Sequence, residues 1–204
     1  IIGSGATLSD EYRFVDAATP DEPFQMFQPR VRGLEYGIAH FENHWYIRTN
    51  KDDATNFKVM RTPESATGQD NWEDVIAHRN DVFVGGIELF RKHMVVEERS
   101  QGLTQMRIQK WDSDDIHYLD FGEETYTAYT STNPDFNTDT LRYGYTSLTT
   151  PSSVIDYNMN TKEKTVRKEQ EVVGGYDKKL YESKRIWAKA PDGTNIPVSL
   201  VYKK

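Results

Sequence analysis

The side chains that could do chemistry are few, and their spacing is loose. The five histidines are His40, His44, His78, His93 and His117. None forms the H-E-x-x-H helix of a zinc peptidase or another tight ligand spacing. His40 and His44 flank a predicted hairpin, where a shared zinc is geometrically feasible. Histidines in such places are usually structural or surface groups. Asp112-Ser113-Asp114-Asp115 invites a calcium reading, but the EF-hand needs a longer loop with a central Gly and a distal Glu. A solvated hairpin turn fits it better. Glu97-Glu98 lies on a predicted strand, where neighbouring side chains face opposite ways, so the pair cannot act jointly on one atom. One of the two could face a central channel and favour basic peptides. No Gly-x-Ser-x-Gly elbow occurs, and Gly3-Ser4-Gly5 is not one. The chain has no cysteine, which excludes disulfides and thiol catalysis. The sequence assigns no catalytic, cofactor-binding or metal residue.

The elements that would carry these groups are strands. Tyr36–Phe41, Met94–Arg99 and Tyr143–Thr149 are similar Tyr- and β-branched-rich segments, about 50–60 residues apart, near the period of β-propeller blades. Ile1–Ser4 and Tyr12–Ala17 read as the last strands of one blade. The next reads Phe24–Arg30, Leu34–Phe41, Trp45–Asn50 and Phe57–Thr62. Then come Val82–Phe90, His93–Arg99, Leu103–Trp111 and His117–Phe121, with Asn71–Ile76 ambiguous between strand and helix. The last reads Thr125–Thr132, Thr140–Thr149, Ser153–Asn158 and Lys164–Glu171. Turn residues punctuate each set.

At Gly174-Gly175 the pattern changes. Tyr181–Ala190 and Asn195–Tyr202 read as a hairpin around Asp192-Gly193, a strong turn signal. The expected fold is all-β. It comprises about three to three and a half four-stranded blades over 1–174, then at 175–204 a hairpin opening a second domain. A propeller closes with roughly four or more blades, so the sequence reads as part of a longer protein. Gly174 and Gly175 are candidate hinge residues, because glycine takes left-handed backbone without steric cost.

Composition limits the partners. The formal net charge is -7 and the aromatic content 12%, with a mean hydropathy of -0.77. An acidic surface attracts basic peptides and disfavours nucleic acid and anionic membranes. No apolar run approaches the roughly 20 residues of a membrane helix. Tyr36, Trp45, Tyr46, Tyr143 and Tyr145 alternate along strands and read as packing between blades rather than stacking platforms. A cytoplasmic location suits a chain without cysteine. Open blade faces and unpaired strand edges predict self-association as a homodimer.

Leu141-Arg142-Tyr143-Gly144-Tyr145-Thr146-Ser147-Leu148-Thr149-Thr150-Pro151-Ser152-Ser153-Val154 resembles the last propeller blade of oligopeptidase B-type enzymes, in the prolyl oligopeptidase family of serine peptidases. Glu171-Val172-Val173-Gly174-Gly175-Tyr176-Asp177 and the hairpin continue the match. Upstream, Arg32–Tyr36, Thr49–Phe57 and Ile76–Arg79 resemble earlier blades. The resemblance implies a propeller of about seven blades over an α/β-hydrolase domain with a Ser-Asp-His triad that cuts small basic peptides after Arg or Lys. It places the triad outside these residues and makes the hairpin the entry to the hydrolase domain. No cofactor is implied. The rival reading is a stand-alone propeller serving as a binding platform.

Overall fold

The computed structural model describes residues 1–111 and 113–204. They form two compact units, Ile1–Leu89 and Phe90–Lys204. In the first, β1 (Ile2–Ala6), β2 (Ser9–Phe14) and β3 (Gln25–Met26) make one antiparallel sheet. A four-stranded meander follows: β4 (Tyr36–Phe41), β5 (His44–Thr49), β6 (Lys58–Pro63) and β7 (Glu73–Ile76). Strand β8 (Val82–Leu89) ends the unit. In the second, β9 (His93–Ser100), β10 (Leu103–Lys110) and β11 (Ile116–Tyr118) pair in sequence order. A four-stranded meander comes next: β12 (Tyr126–Thr130), β13 (Thr140–Ser147), β14 (Ser153–Asn158) and β15 (Lys164–Glu169). The hairpin β16 (Tyr181–Lys189) and β17 (Asn195–Lys203) completes it.

These are the four-stranded antiparallel sheets of a propeller, and the expected all-β class holds. One strand assignment does not. The segment 24–30 was expected to open the second blade, but only Gln25 and Met26 are strand, and they pair with Arg13 and Phe14 on β2. Tyr36–Phe41 is therefore the first strand of its sheet, whereas Tyr143 lies on the second of its own, so the two are not equivalent positions. The fourth strand is Glu73–Ile76, preceded by a 3-10 turn at Gln69–Asn71. The misreading has a physical source. Phe27 is apolar because it is buried (1% exposed) in the aromatic cluster with Tyr36, Trp45 and Trp72, not because it lies in a ladder.

Both units are cored by aromatics, from strand positions such as Tyr36, Trp45, Tyr143 and Tyr145 and from the loop residues Phe27 and Trp72. Phe27 meets Trp45 at 5.4 Å and Tyr36 meets Trp72 at 5.4 Å between ring centres, distances at which edge and offset contacts are favourable. Burial pushes the Tyr36 hydroxyl up to about 12. In the second unit, Leu141, Tyr143, Tyr145, Tyr157 and Met159 pack with Val95, Met106 and Ile108. Gly144 sits directly opposite Tyr129 across the ladder. A Cβ there would lie 2.3 Å from the Tyr129 ring, so only glycine leaves room for it.

Ion pairs and hydrogen bonds account for the rest of the first unit's familiar motifs. Lys58 is buried between Asp52 (3.0 Å) and Asp74 (2.9 Å). Arg48 lays its guanidinium 3.5 Å above the Phe57 ring and donates to the Val84 carbonyl at 2.7 Å. His78 accepts the Asn56 N–H through Nε2 at 3.3 Å. The family-like residues of Asn50–Phe57 and His78-Arg79 are thus loop anchors.

Candidate functional site

The richest polar constellation lies in the second unit, where the hairpin meets the β12–β15 sheet. Three consecutive residues ahead of β12 build it. Glu123 accepts from Thr150 Oγ1 (2.7 Å) and Lys178 Nζ (2.8 Å) on Oε1, and from Thr149 Oγ1 (2.9 Å) and Ser183 Oγ (3.5 Å) on Oε2. Glu124 accepts the Arg185 backbone N–H at 3.0 Å. Thr125 donates through its hydroxyl to Ser199 Oγ at 2.7 Å. Two further bonds flank the row. Tyr176 donates to the Thr149 carbonyl at 3.2 Å, and the Arg185 guanidinium donates to the Gln101 carbonyl in the β9–β10 turn.

Local sequence explains why these groups converge. The Ser147–Thr150 turn binds itself, with Thr149 N–H donating to Ser147 Oγ at 3.0 Å, so both threonine hydroxyls are held toward Glu123. Asp177 caps the 3-10 turn Lys178–Leu180 by accepting the Lys179 N–H, which fixes Lys178 over the carboxylate. Burial raises the Glu123 carboxyl, but the hydrogen bonds from Lys178, Thr150, Ser147 and Thr149 outweigh it and hold it at about 2. Burial, with the Glu123 charge beside it, pushes the Tyr145 hydroxyl well up.

The Glu123 carboxylate is placed to hold its neighbours rather than to take a proton. A general base works best when its pKa lies near the working pH. Glu123 at about 2 is far below that and saturated with donors. Beside it opens a groove of about 930 Å³, lined by Thr149, Pro151, Val172, Tyr176, Tyr181 and Val201 among others.

Gly174 and Gly175, the two candidate hinge residues, stand just before this seam. Both are left-handed, at φ 87° and 73°, with open space where a Cβ would point. The Gly175 N–H closes the turn on the Val172 carbonyl at 2.9 Å.

The other singled-out residues are dispersed. Glu97 accepts the Thr130 N–H at 3.0 Å, while Glu98, 1% exposed, accepts from the Tyr118 hydroxyl at 3.0 Å, so the two carboxylates diverge as strand geometry requires. His40 packs against Trp45 and lies 3.7 Å from Glu64. Among the described residues no three His, Cys, Asp or Glu side chains come together as a metal site. The turn 112–115 includes Asp112, which lies outside the described residues. Sequence reading missed Glu123 because its partners lie 26 to 60 residues away. The available signal was two adjacent acids at the start of a strand, which is weak.

An all-β chain of propeller meanders with a clasped terminal hairpin defines a class, and comparison with known proteins specifies it. Residues 1–170 match the model of the prolyl oligopeptidase N-terminal β-propeller domain, and the chain belongs to that family. It is 44% identical over 200 residues to dipeptidyl aminopeptidase BI of Pseudoxanthomonas mexicana, covering 98% of this chain and 27% of the relative. Protease 2 of Moraxella lacunata is 25% identical, covering 98% and 28%. Oligopeptidase B from Trypanosoma brucei, solved closed with covalently bound antipain, superposes with a TM-score of 0.87 at 31% identity, covering 98% of this chain and 30% of that one. The Leishmania major oligopeptidase B gives 0.86 at 29%, covering 99% and 30%. The chain thus spans under a third of each relative. Among the described residues no helix is long and apolar enough to cross a membrane.

Proposed function

We propose that this chain is the access-controlling propeller portion of a serine peptidase that acts on small, basic peptides and cleaves after Arg or Lys. The observation that carries the reading is the alignment of nearly the whole chain, at 44% identity, with a named peptidase. The oligopeptidase B structures, similar at 31% and 29% identity, support the oligopeptidase reading, and the Arg/Lys preference is what the sequence resemblance implies. The net charge of -7 supports attraction of cationic substrates. Chemistry would run as acyl transfer through Ser, His and Asp beyond these residues, and the chain alone would have no turnover. A cytoplasmic location and a homodimeric state belong to the same reading.

A second reading has specific support. The relative at 44% identity carries the name of a dipeptidyl aminopeptidase, while Protease 2 stands at 25%. Release of dipeptides from a free N-terminus is then the competing specificity. One assay separates the possibilities. The full-length protein is given Arg-containing peptides of increasing length, with free and with blocked N-termini. Loss of cleavage on lengthening supports access control. Cleavage after Arg irrespective of blocking supports the first reading, and dependence on a free N-terminus supports the second. No cleavage of any peptide would leave the stand-alone binding platform.

A further inference from the structure

His93 alone among the five histidines is buried, at 1% exposed. It opens β9, opposite Lys110 on β10. The turn before it leans on the segment that leads into β13. Arg91 donates its backbone N–H to the Phe136 carbonyl at 2.9 Å and its Nε to Asn137 Oδ1. Its guanidinium lies 5.5 Å from the centre of the Phe136 ring. Lys92 Nζ donates to Asp139 Oδ2 at 3.1 Å, and the Asp139 carbonyl accepts the Met159 N–H at 2.8 Å. Arg91, Lys92 and His93 thus join the β9–β11 strands to the β12–β15 sheet.

One contact in this junction is left unmade. His93 Nδ1 and Asp139 Oδ1 face each other at 3.9 Å, too far for a hydrogen bond. Both atoms are buried, and neither has a hydrogen-bond partner among the described residues. Native interiors rarely leave complementary groups in that state. Charging the ring would bury an ion whose acid neighbour, Asp139, is already paired with Lys92. Burial holds the His93 ring below its ordinary pKa of 6.5. The charges of Lys110 and His117 act in the same direction, and Asp139 and Asn160 oppose them.

We propose that His93 is a proton-operated latch between these two sheets. Neutral, it lets the Arg91–His93 turn seat against Phe136–Asp139. Charged, it drives that turn off while both sheets stay folded. Histidine is the side chain whose charge changes near neutrality. A released ring takes a proton more readily than the seated one. Seating is therefore complete above 6.5 and weakens as pH falls below it. The proposal does not depend on which peptides the protein cuts, because it concerns this chain's own contacts.

Hydrogen exchange followed by mass spectrometry on the full-length protein tests it. Labelling is done at about pH 7.5 and about pH 5.5, with times scaled to equal intrinsic exchange. Protection of residues 90–93 and 136–139 should fall severalfold at the lower pH, up to the roughly tenfold that one pH unit below 6.5 allows. Strand β14 should keep its protection. His93→Gln, uncharged at both pH values, should show no such fall. Where that variant is already open at the higher pH, the ring itself decides. Its NMR signals, assigned by their loss in His93→Gln, should titrate below 6.5. The proposal is overturned if wild-type protection is equal at the two pH values, or if His93→Gln keeps the fall. A ring that titrates at or above 6.5 overturns it as well.

Discussion

The β12–β15 sheet and the hairpin beside it are neighbours in the same unit, yet they are held by opposite means. The sheet places Leu141, Tyr143 and Tyr157 in a dry aromatic core. The hairpin leaves Ile186, Trp187, Ile196 and Val201 exposed and docks through hydroxyls, a carboxylate and an ammonium. The difference is one of means: apolar burial holds the sheet, and directional polar contacts hold the hairpin against it. Apolar burial scales with area and is lost only by unfolding, whereas hydrogen bonds trade readily with water.

The largest test of that contrast removes a core ring. Tyr143→Ala, at a site 1% exposed, should cost about 3–5 kcal/mol in denaturant unfolding, as other buried aromatic truncations do. The same truncation at Trp187, nearly half exposed, should fall within about 0.5 kcal/mol of wild type. Equal losses at the two sites would erase the distinction.

Next in size is the glycine pair. At φ 87° and 73° an L side chain is strained, so Gly174→Ala/Gly175→Ala should lower stability by about 1–2 kcal/mol per position in thermal melts. In the full-length protein it should also slow turnover if the pair acts as a pivot. Normal turnover with lowered stability would reduce the pair to a plain turn.

A smaller effect follows from pH. The Glu123 carboxyl titrates at about 2 when docked, against an ordinary value of 4.5. A depressed folded-state pKa means the Glu123 contacts contribute in full above about 4.5 and weaken as pH falls toward 2. Amide chemical shifts of residues 181–203 should therefore move across that window while those of β12–β15 hold.

The weakest expected effect is association. The exposed apolar side chains of the hairpin favour a homodimer at high protein concentration, which light scattering across a dilution series would register. A monomer at every concentration would show that these side chains tolerate water.

Much of this architecture was legible in the sequence, and particular residues show why. Asp192-Gly193 marked the hairpin turn because Gly193 takes φ 86° and Asp192 caps the Thr194 N–H, both local requirements. Strand alternation placed Tyr36, Trp45, Tyr143 and Tyr145 in the core, where they are. Phe24–Arg30 misled because burial without a ladder looks the same in sequence as a strand. Glu123 was invisible because its meaning depends on Lys178 and Ser183, more than 50 residues on.

The meander connectivity bears on how the protein is made. Within the sheets β1-β2-β3, β4-β5-β6-β7, β12-β13-β14-β15 and β16-β17, spatial neighbours are neighbours in the chain. No strand there waits for a partner synthesised much later, so loop-closure penalties stay low and contacts stay local. Each sheet can be completed as its last strand leaves the ribosome, and folding order then follows the order of translation. The hairpin is synthesised after β12–β15, so it meets a blade whose core residues up to Met159 are already in place, and its polar groups then find Glu123, Glu124 and Thr125.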